Sequence, residues 1–187
     1  IFKESKEESK ADLNMGQKNN ILMVKAYQQK IFMNPENESS NILKKFLQSL
    51  IKKGRKKKAQ SLLLKVIRLV QMMQPTKTKY EVFTQAVKNV QPSFEFKRAR
   101  LGGLYQMIPG AKKPEKQSNL AVRWILALAK EKQKKAKTLK NRRYGIEFFL
   151  AQEIVFAYKN ESELKQKKIE IHKLAETNRA LAVQRWW

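Results

Sequence analysis

Two groups of cations carry the chemistry legible in this sequence. Lys97, Arg98 and Arg100 lie in PSFEFKRARLGGLYQMIP, from Pro92 to Pro109, and Lys52, Lys53, Arg55, Lys56, Lys57 and Lys58 bracket Gly54. Fixed positive charge at such density is chemistry for holding a polyanion, and the planar guanidinium of Arg can pair with a phosphate at two points, as Lys cannot. Tyr105 stands close to the first group. Base stacking by its ring is the functional reading, and packing against Phe94 or Phe96 across a ribbon is the structural one. Trp186 and Trp187, beside Arg185, could likewise stack on nucleotides or fold back on the preceding helix.

Catalysis finds little material. There is no Cys, the sole His is His172, and the only Asp is Asp12. Neither a Walker-type loop nor an H-E-x-x-H pair occurs, and Gly102-Gly103 suits a tight turn rather than a phosphate-cradling loop. A lone helical His is ordinarily a surface or packing residue. The expectation is a protein with no catalytic residues, no metal and no cofactor.

The elements that must position the cations follow from periodicity. Phe94 and Phe96 alternate with Glu95 and Lys97 at the spacing of a strand, and two central glycines permit the positive φ angles of a two-residue hairpin turn. The spacing therefore predicts a hairpin at about 93–109. Ahead of it, Ser39, Ser40 or Asn41 can cap a helix with Ile42, Phe46, Leu50 and Leu43, Leu47, Ile51 on one face, stopping at Gly54. A second helix is predicted from Lys56 to Met73, ended by Gln74-Pro75, and a third from about Thr78 to Val90.

Beyond the hairpin, Ser118-Asn119 is read as the cap of a fourth helix with Leu120, Trp124, Leu128 and Ala121, Ile125, Ala129 buried. The segment KEKQKKAKTLK, from Lys130 to Lys140, is either a solvated continuation of that helix or a loop touching RNA. Helical spacing resumes from Tyr144 to Tyr158. A last helix is expected from about Ser162 to Val183, with Leu164, Ile171, Leu174, Ala175 and Leu181 inward. Residues 1–33 read as an extension or arm, and its acid-containing start, IFKESKEESKAD, is unlike a transit peptide.

Composition narrows the partner. Lys and Arg number 41 against 16 Asp and Glu, a formal net charge of +25 on 187 residues. Such an excess repels itself in a folded chain unless a polyanion neutralises it, which makes nucleic acid the expected partner. An anionic membrane surface is the competing sink. Apolar residues at 42% argue for a real core rather than a disordered tail, and no run reaches the roughly 18 apolar residues of a membrane span.

Four blocks, NPENESSNILKKFLQSLIKKGRKKKAQSLL, NVQPSFEFKRARLGGLYQMIP, SNLAVRWILALA and HKLAETNRALAVQRW, occur in an order and spacing that resemble the small-subunit ribosomal protein seven family of bacteria and organelles, over about residues 34–187. The resemblance implies a mainly α bundle of about six helices with a protruding two-stranded β-hairpin. It implies binding to the 3′ major, or head, domain of small-subunit rRNA, a part in nucleating head assembly, and a hairpin near the exit-site tRNA and the mRNA path, among neighbouring head and platform proteins and away from membranes.

By position, it implies rRNA contacts for Lys52 to Lys58, Lys97, Arg98, Arg100 and Arg123, with Arg179 and Arg185 secondary. Lys112, Lys113, Arg142 and Arg143 complete the basic candidates. The second hairpin arm, LYQMIPGA, departs from the family's alternating valines, and the Lys-rich segment 130–140 looks long. Lys outnumbers Arg by 32 to 9, as an A·T-rich genome would encode. That bias, the extension and the looser motifs together point to an organelle, mitochondrion ahead of plastid, with the bacterial cytoplasm as the remaining alternative. A DNA-compacting protein and a peripheral membrane protein are the rival classes.

Overall fold

A computed structural model describes residues 38–138 and 144–184. The chain divides into two compact units, and the fold described here is that of the second, Ile42–Trp187. Among the described residues the order is α1 (Glu38–Leu50), α2 (Lys56–Met73), α3 (Lys79–Val90), β1 (Phe94–Leu101), β2 (Leu104–Ala111), α4 (Pro114–Thr138), α5 (Ile146–Lys159), α6 (Glu163–Thr177) and a 3₁₀ turn (Arg179–Gln184). This is the mainly helical bundle with a hairpin that the sequence implies.

Helix α5 organises the bundle. Its sequence, IEFFLAQEIVFAYK, is apolar around most of its circumference, and a helix of that kind is stable only when enclosed. Accordingly α2, α3 and α4 all pack on it. Leu150, Ala151, Ile154 and Ala157 are wholly or almost wholly buried, against Leu63, Val66 and Val70 of α2, Val82, Phe83 and Ala86 of α3, and Ala121, Ile125 and Ala129 of α4 in the same core. Phe46 of α1 meets Phe83 edge to face, with ring centroids 5.4 Å apart. Each such large side chain contributes about 1.5–3 kcal/mol on leaving water.

Local chemistry sets the boundaries. Thr78 caps α3, its Oγ1 accepting from the N–H of Glu81 at 3.3 Å, and Ser162 caps α6 by accepting from Leu164. Asn160 closes α5 in the left-handed region at φ 63°, where its N–H reaches the carbonyls of Ala157 and Phe156. The side chain of Asn89 donates to the carbonyls of Ala157 and Tyr158, both at 3.0 Å, so α3 also satisfies the end of α5.

Four expectations need correcting. Helix α1 begins at Glu38, so Ser39, Ser40 and Asn41 lie inside it and none of them is its cap. Helix α4 begins at Pro114, not at Ser118: the fixed φ of proline suits the first helical position, and the carbonyl of Lys113 already accepts from Lys116 and Gln117. Ser118 is instead an interior residue whose hydroxyl bonds back to Pro114 and Glu115. Leu120 and Trp124 are half-buried rather than central, because the buried stripe runs through Ala121, Val122, Ile125, Leu126, Leu128 and Ala129.

The last helix ends at Thr177 rather than Val183. Thr177 turns its hydroxyl to the carbonyl of Leu174 and Asn178 follows as cap, local bonds that compete with helix continuation. The expected inward face is split as a result. Leu164 and Ala175 are buried, whereas Leu174 is 46% exposed. Of the two readings of the Lys-rich run, the helical continuation holds as far as Thr138.

Candidate nucleic-acid interface

The hairpin is built by its turn and anchored at its root. Gly102 and Gly103, at φ 56° and 91°, link strands in register Arg100↔Tyr105, Arg98↔Met107 and Phe96↔Pro109. Alternation puts Phe94, Phe96, Arg98, Arg100, Tyr105 and Met107 on one face and Lys97, Ala99, Gln106 and Ile108 on the other. Ile108 and Ala99 are buried, so beyond the root the second face is the docked one; at the root Pro109 of the first face is buried as well, and α6 lies beside β1 and the 3₁₀ turn beside β2. Arg98, Arg100 and Tyr105 therefore stand on the outer face.

His172 explains that anchorage. Its Nε2 accepts a hydrogen bond from the N–H of Ser93 at 3.2 Å, and its ring meets Phe94 edge to face at 5.3 Å. The one histidine is a peg for the ribbon.

Tyr105 does not pack on the phenylalanines. The register sets it opposite Arg100 next to the turn, while Phe94 and Phe96 lie at the root. The residue is 62% exposed, and its ring carries the guanidinium of Arg98 at 4.4 Å. A cation held over an exposed ring is a pre-ordered surface for phosphate or a base.

The turn between α1 and α2 presents the second cluster. Lys52, Lys53, Arg55, Lys56, Lys57 and Lys58 are all exposed. Lys53 and Gly54 both adopt positive φ, 52° and 71°, which reverses the chain and opens α2 directly. No side chain caps that helix and no acid lies in its first turn. Free N–H groups, the positive end of the helix dipole and six cations act in the same direction, so an anion is the missing complement.

The remaining candidates divide. Arg123 is exposed and lines a shallow groove with Lys45, Gln48, Ser49, Asn119 and Lys130, between α1 and α4. Lys113 is exposed at a basic concavity beside the hairpin root that Lys97 and Lys116 also line. Lys112 is committed internally: its ammonium is 2.9 Å from Glu95 and its side chain only 9% exposed. Arg179 is exposed on the 3₁₀ turn. Arg142, Arg143, Arg185, Trp186 and Trp187 lie outside the described residues.

Cations missed by sequence reasoning gather where helices meet. Lys45 donates to the hydroxyl of Ser118 at 2.5 Å and so reaches the Arg123 groove from another helix. Lys88, Lys165, Lys168 and Lys173 line a second groove between α3 and α6. Burial holds the Lys168 ammonium below its ordinary pKa, and it donates to the carbonyl of Asn89 at 3.0 Å. The spacing of 165, 168 and 173 along one helix was an available signal, but nothing in the sequence said that Lys88 would join it.

Residues 16–179 match the family described as Ribosomal protein S7p/S5e. The chain belongs to that family. It is 34% identical over 148 residues to the small ribosomal subunit protein uS7 of Natranaerobius thermophilus, which covers 79% of this chain and 88% of that protein. The uS7 of Mesomycoplasma hyopneumoniae strain 7448 gives the same figures, and that of Campylobacter hominis is 32% identical over 147 residues with the same coverage. The match begins at residue 16, ahead of the expected start at Asn34, so part of the N-terminal arm falls inside the family region. Membership makes this a structural ribosomal protein and not an enzyme.

Proposed function

We propose that this chain is a structural constituent of the small ribosomal subunit that binds the 3′ major domain of its rRNA and helps the head of the subunit to assemble. Helices bury the core; the α1–α2 turn and the outer face of the hairpin meet RNA. Contacts of this kind fix position through phosphate and shape, and need no reaction chemistry. The hairpin faces the mRNA path and the exit-site tRNA, and the flanking surfaces meet neighbouring head and platform proteins. Residues 1–33 serve as an N-terminal arm ahead of the domain formed by 34–187, and 16–33 of that arm belong to the family region. The ribosome is mitochondrial on this reading, supported by 32 Lys against 9 Arg.

One observation carries the proposal: six exposed cations surround an uncapped helix start with no acid in its first turn. The test is a salt titration of binding to folded small-subunit rRNA by the wild type and by Lys56→Gln/Lys57→Gln/Lys58→Gln. Losing three phosphate contacts should flatten the slope of log affinity against log salt by about 2–3. All three side chains are exposed, so helical content should not change. An unchanged slope, or loss of the helical signal in the variant, counts against the assignment.

A further inference from the structure

The Lys-rich run is sorted by the fold into two kinds of lysine. On the inner side of α4, Lys132 reaches Glu153 at 2.5 Å and Glu163 at 3.3 Å. Lys135 pairs along the helix with Glu131 at 3.0 Å. Lys130, Lys134 and Lys137 have no carboxylate within ion-pair distance among the described residues. These three share a row with Arg123, at steps of seven, four and three residues.

At 3.6 residues per turn, Arg123, Ala127, Lys130, Lys134 and Lys137 fall within an arc of about 80°, and at 1.5 Å per residue the row is about 21 Å long. Continued backward, the same row takes in Asn119 and Lys116. Its middle position is the exposed Ala127, whose small side chain lets a partner approach the helix closely. Along the row there is no aromatic residue and no acid. Trp124, the aromatic residue of α4, is half-buried and covered by the Lys167 ammonium, 4.8 Å from its ring centroid.

We infer that this row is a rigid cationic ridge for the sugar–phosphate backbone of a paired RNA segment, extending the Arg123 groove through the whole second half of α4. Paired RNA follows from what the ridge lacks. A single strand exposes bases that bind by stacking on aromatic rings, and none is offered here; a duplex keeps its bases stacked and presents phosphates along a line. The continuity of α4, one helix from Pro114 to Thr138, and the absence of a paired acid suit that line. The inference rests on the proposed rRNA function and names residues and a form of RNA that the function does not.

The test compares Lys130→Gln/Lys134→Gln/Lys137→Gln with Lys135→Gln, in the full chain, against folded small-subunit rRNA. The ridge variant should lose about 2–3 from its salt slope, as for three phosphate contacts on a duplex, and Lys135→Gln should lose none. Lysine acetylation read by mass spectrometry gives an independent readout: Lys130, Lys134 and Lys137 should be protected by the rRNA while Lys135 stays reactive.

A wild-type slope in the ridge variant, or protection that appears only in intact subunits, overturns the inference; the latter outcome would assign the ridge to a neighbouring protein. Failure of the wild type itself to bind the rRNA would instead remove the functional reading. Weakened binding by the Lys56–Lys58 variant alongside an unaffected ridge variant would remove the ridge alone.

Discussion

Glu153 is the carboxylate on which the bundle's integrity can be tested, because its ion pair is lopsided. Its side chain is wholly buried, whereas that of Lys132 is 27% exposed and has Glu163 as a second partner at 3.3 Å. Without Lys132, the Glu153 charge would keep only the Ser162 hydroxyl, at 3.4 Å. A buried charge stripped of its partner costs about 3–5 kcal/mol, so Lys132→Met should fall at that level. Glu153→Gln keeps the shape and leaves Lys132 to Glu163 and water, for a loss of about 1–2 kcal/mol.

At roughly 3 °C per kcal/mol for a domain of this size, Tm should drop by about 10 °C in the first variant and about 3–6 °C in the second. Lys132→Met/Glu153→Leu should lose less than Lys132→Met alone, since an apolar pair leaves no charge stranded. Thermal unfolding followed by circular dichroism measures all three. Equal losses from the two single variants, or a double variant worse than Lys132→Met, would refute the claim that a stranded buried carboxylate is the dominant cost.

The same pair gives a pH dependence. Partial burial lowers the pKa of Lys132, but the hydrogen bonds and charges of Glu153 and Glu163 outweigh it and the net shift is upward from 10.5. Its contribution is therefore full below about pH 10.4, the value of an unfolded lysine, and is lost as pH rises through the higher folded value. Urea unfolding across that alkaline range should show the wild type losing stability faster than Lys132→Met. Gly54→Ala, at φ 71° with open space around it, should cost about 1–2 kcal/mol through backbone strain alone, read as a lower urea midpoint. His172→Ala removes the acceptor of the Ser93 N–H, so hydrogen exchange at Ser93 and along the hairpin root should quicken while the protection of α5 is unchanged.

Periodicity and capping made α2, α3 and the hairpin legible, because each is a local pattern closed by Gly, Pro or Thr. The helix α2 has the expected bounds, Lys56–Met73, and the glycine pair makes the expected turn. What failed depended on choices between competing local bonds. Ser118 is an adequate cap by type, yet Pro114 starts the helix earlier, and Thr177 diverts a helix whose apolar spacing runs on to Val183.

The candidate interface divides in the same way. Contiguous charge at 52–58 could be read directly. The commitment of Lys112 to Glu95, the seat of Arg98 on Tyr105, and the sorting of Lys130 to Lys137 into paired and unpaired rows all depend on which element lies across from them. The sequence leaves His172 as a surface or packing residue, because its partner, the start of the hairpin, is far away in sequence.

The central claim is that folded small-subunit rRNA is the counterion for this excess of positive charge. It is tested most directly by measuring the affinity of the full chain for that rRNA and for duplex DNA at matched ionic strength across a salt series. The account predicts tighter binding to the rRNA at every salt concentration, with a steep fall as salt rises. Equal affinity for the two polyanions would contradict it and leave only a non-specific basic protein.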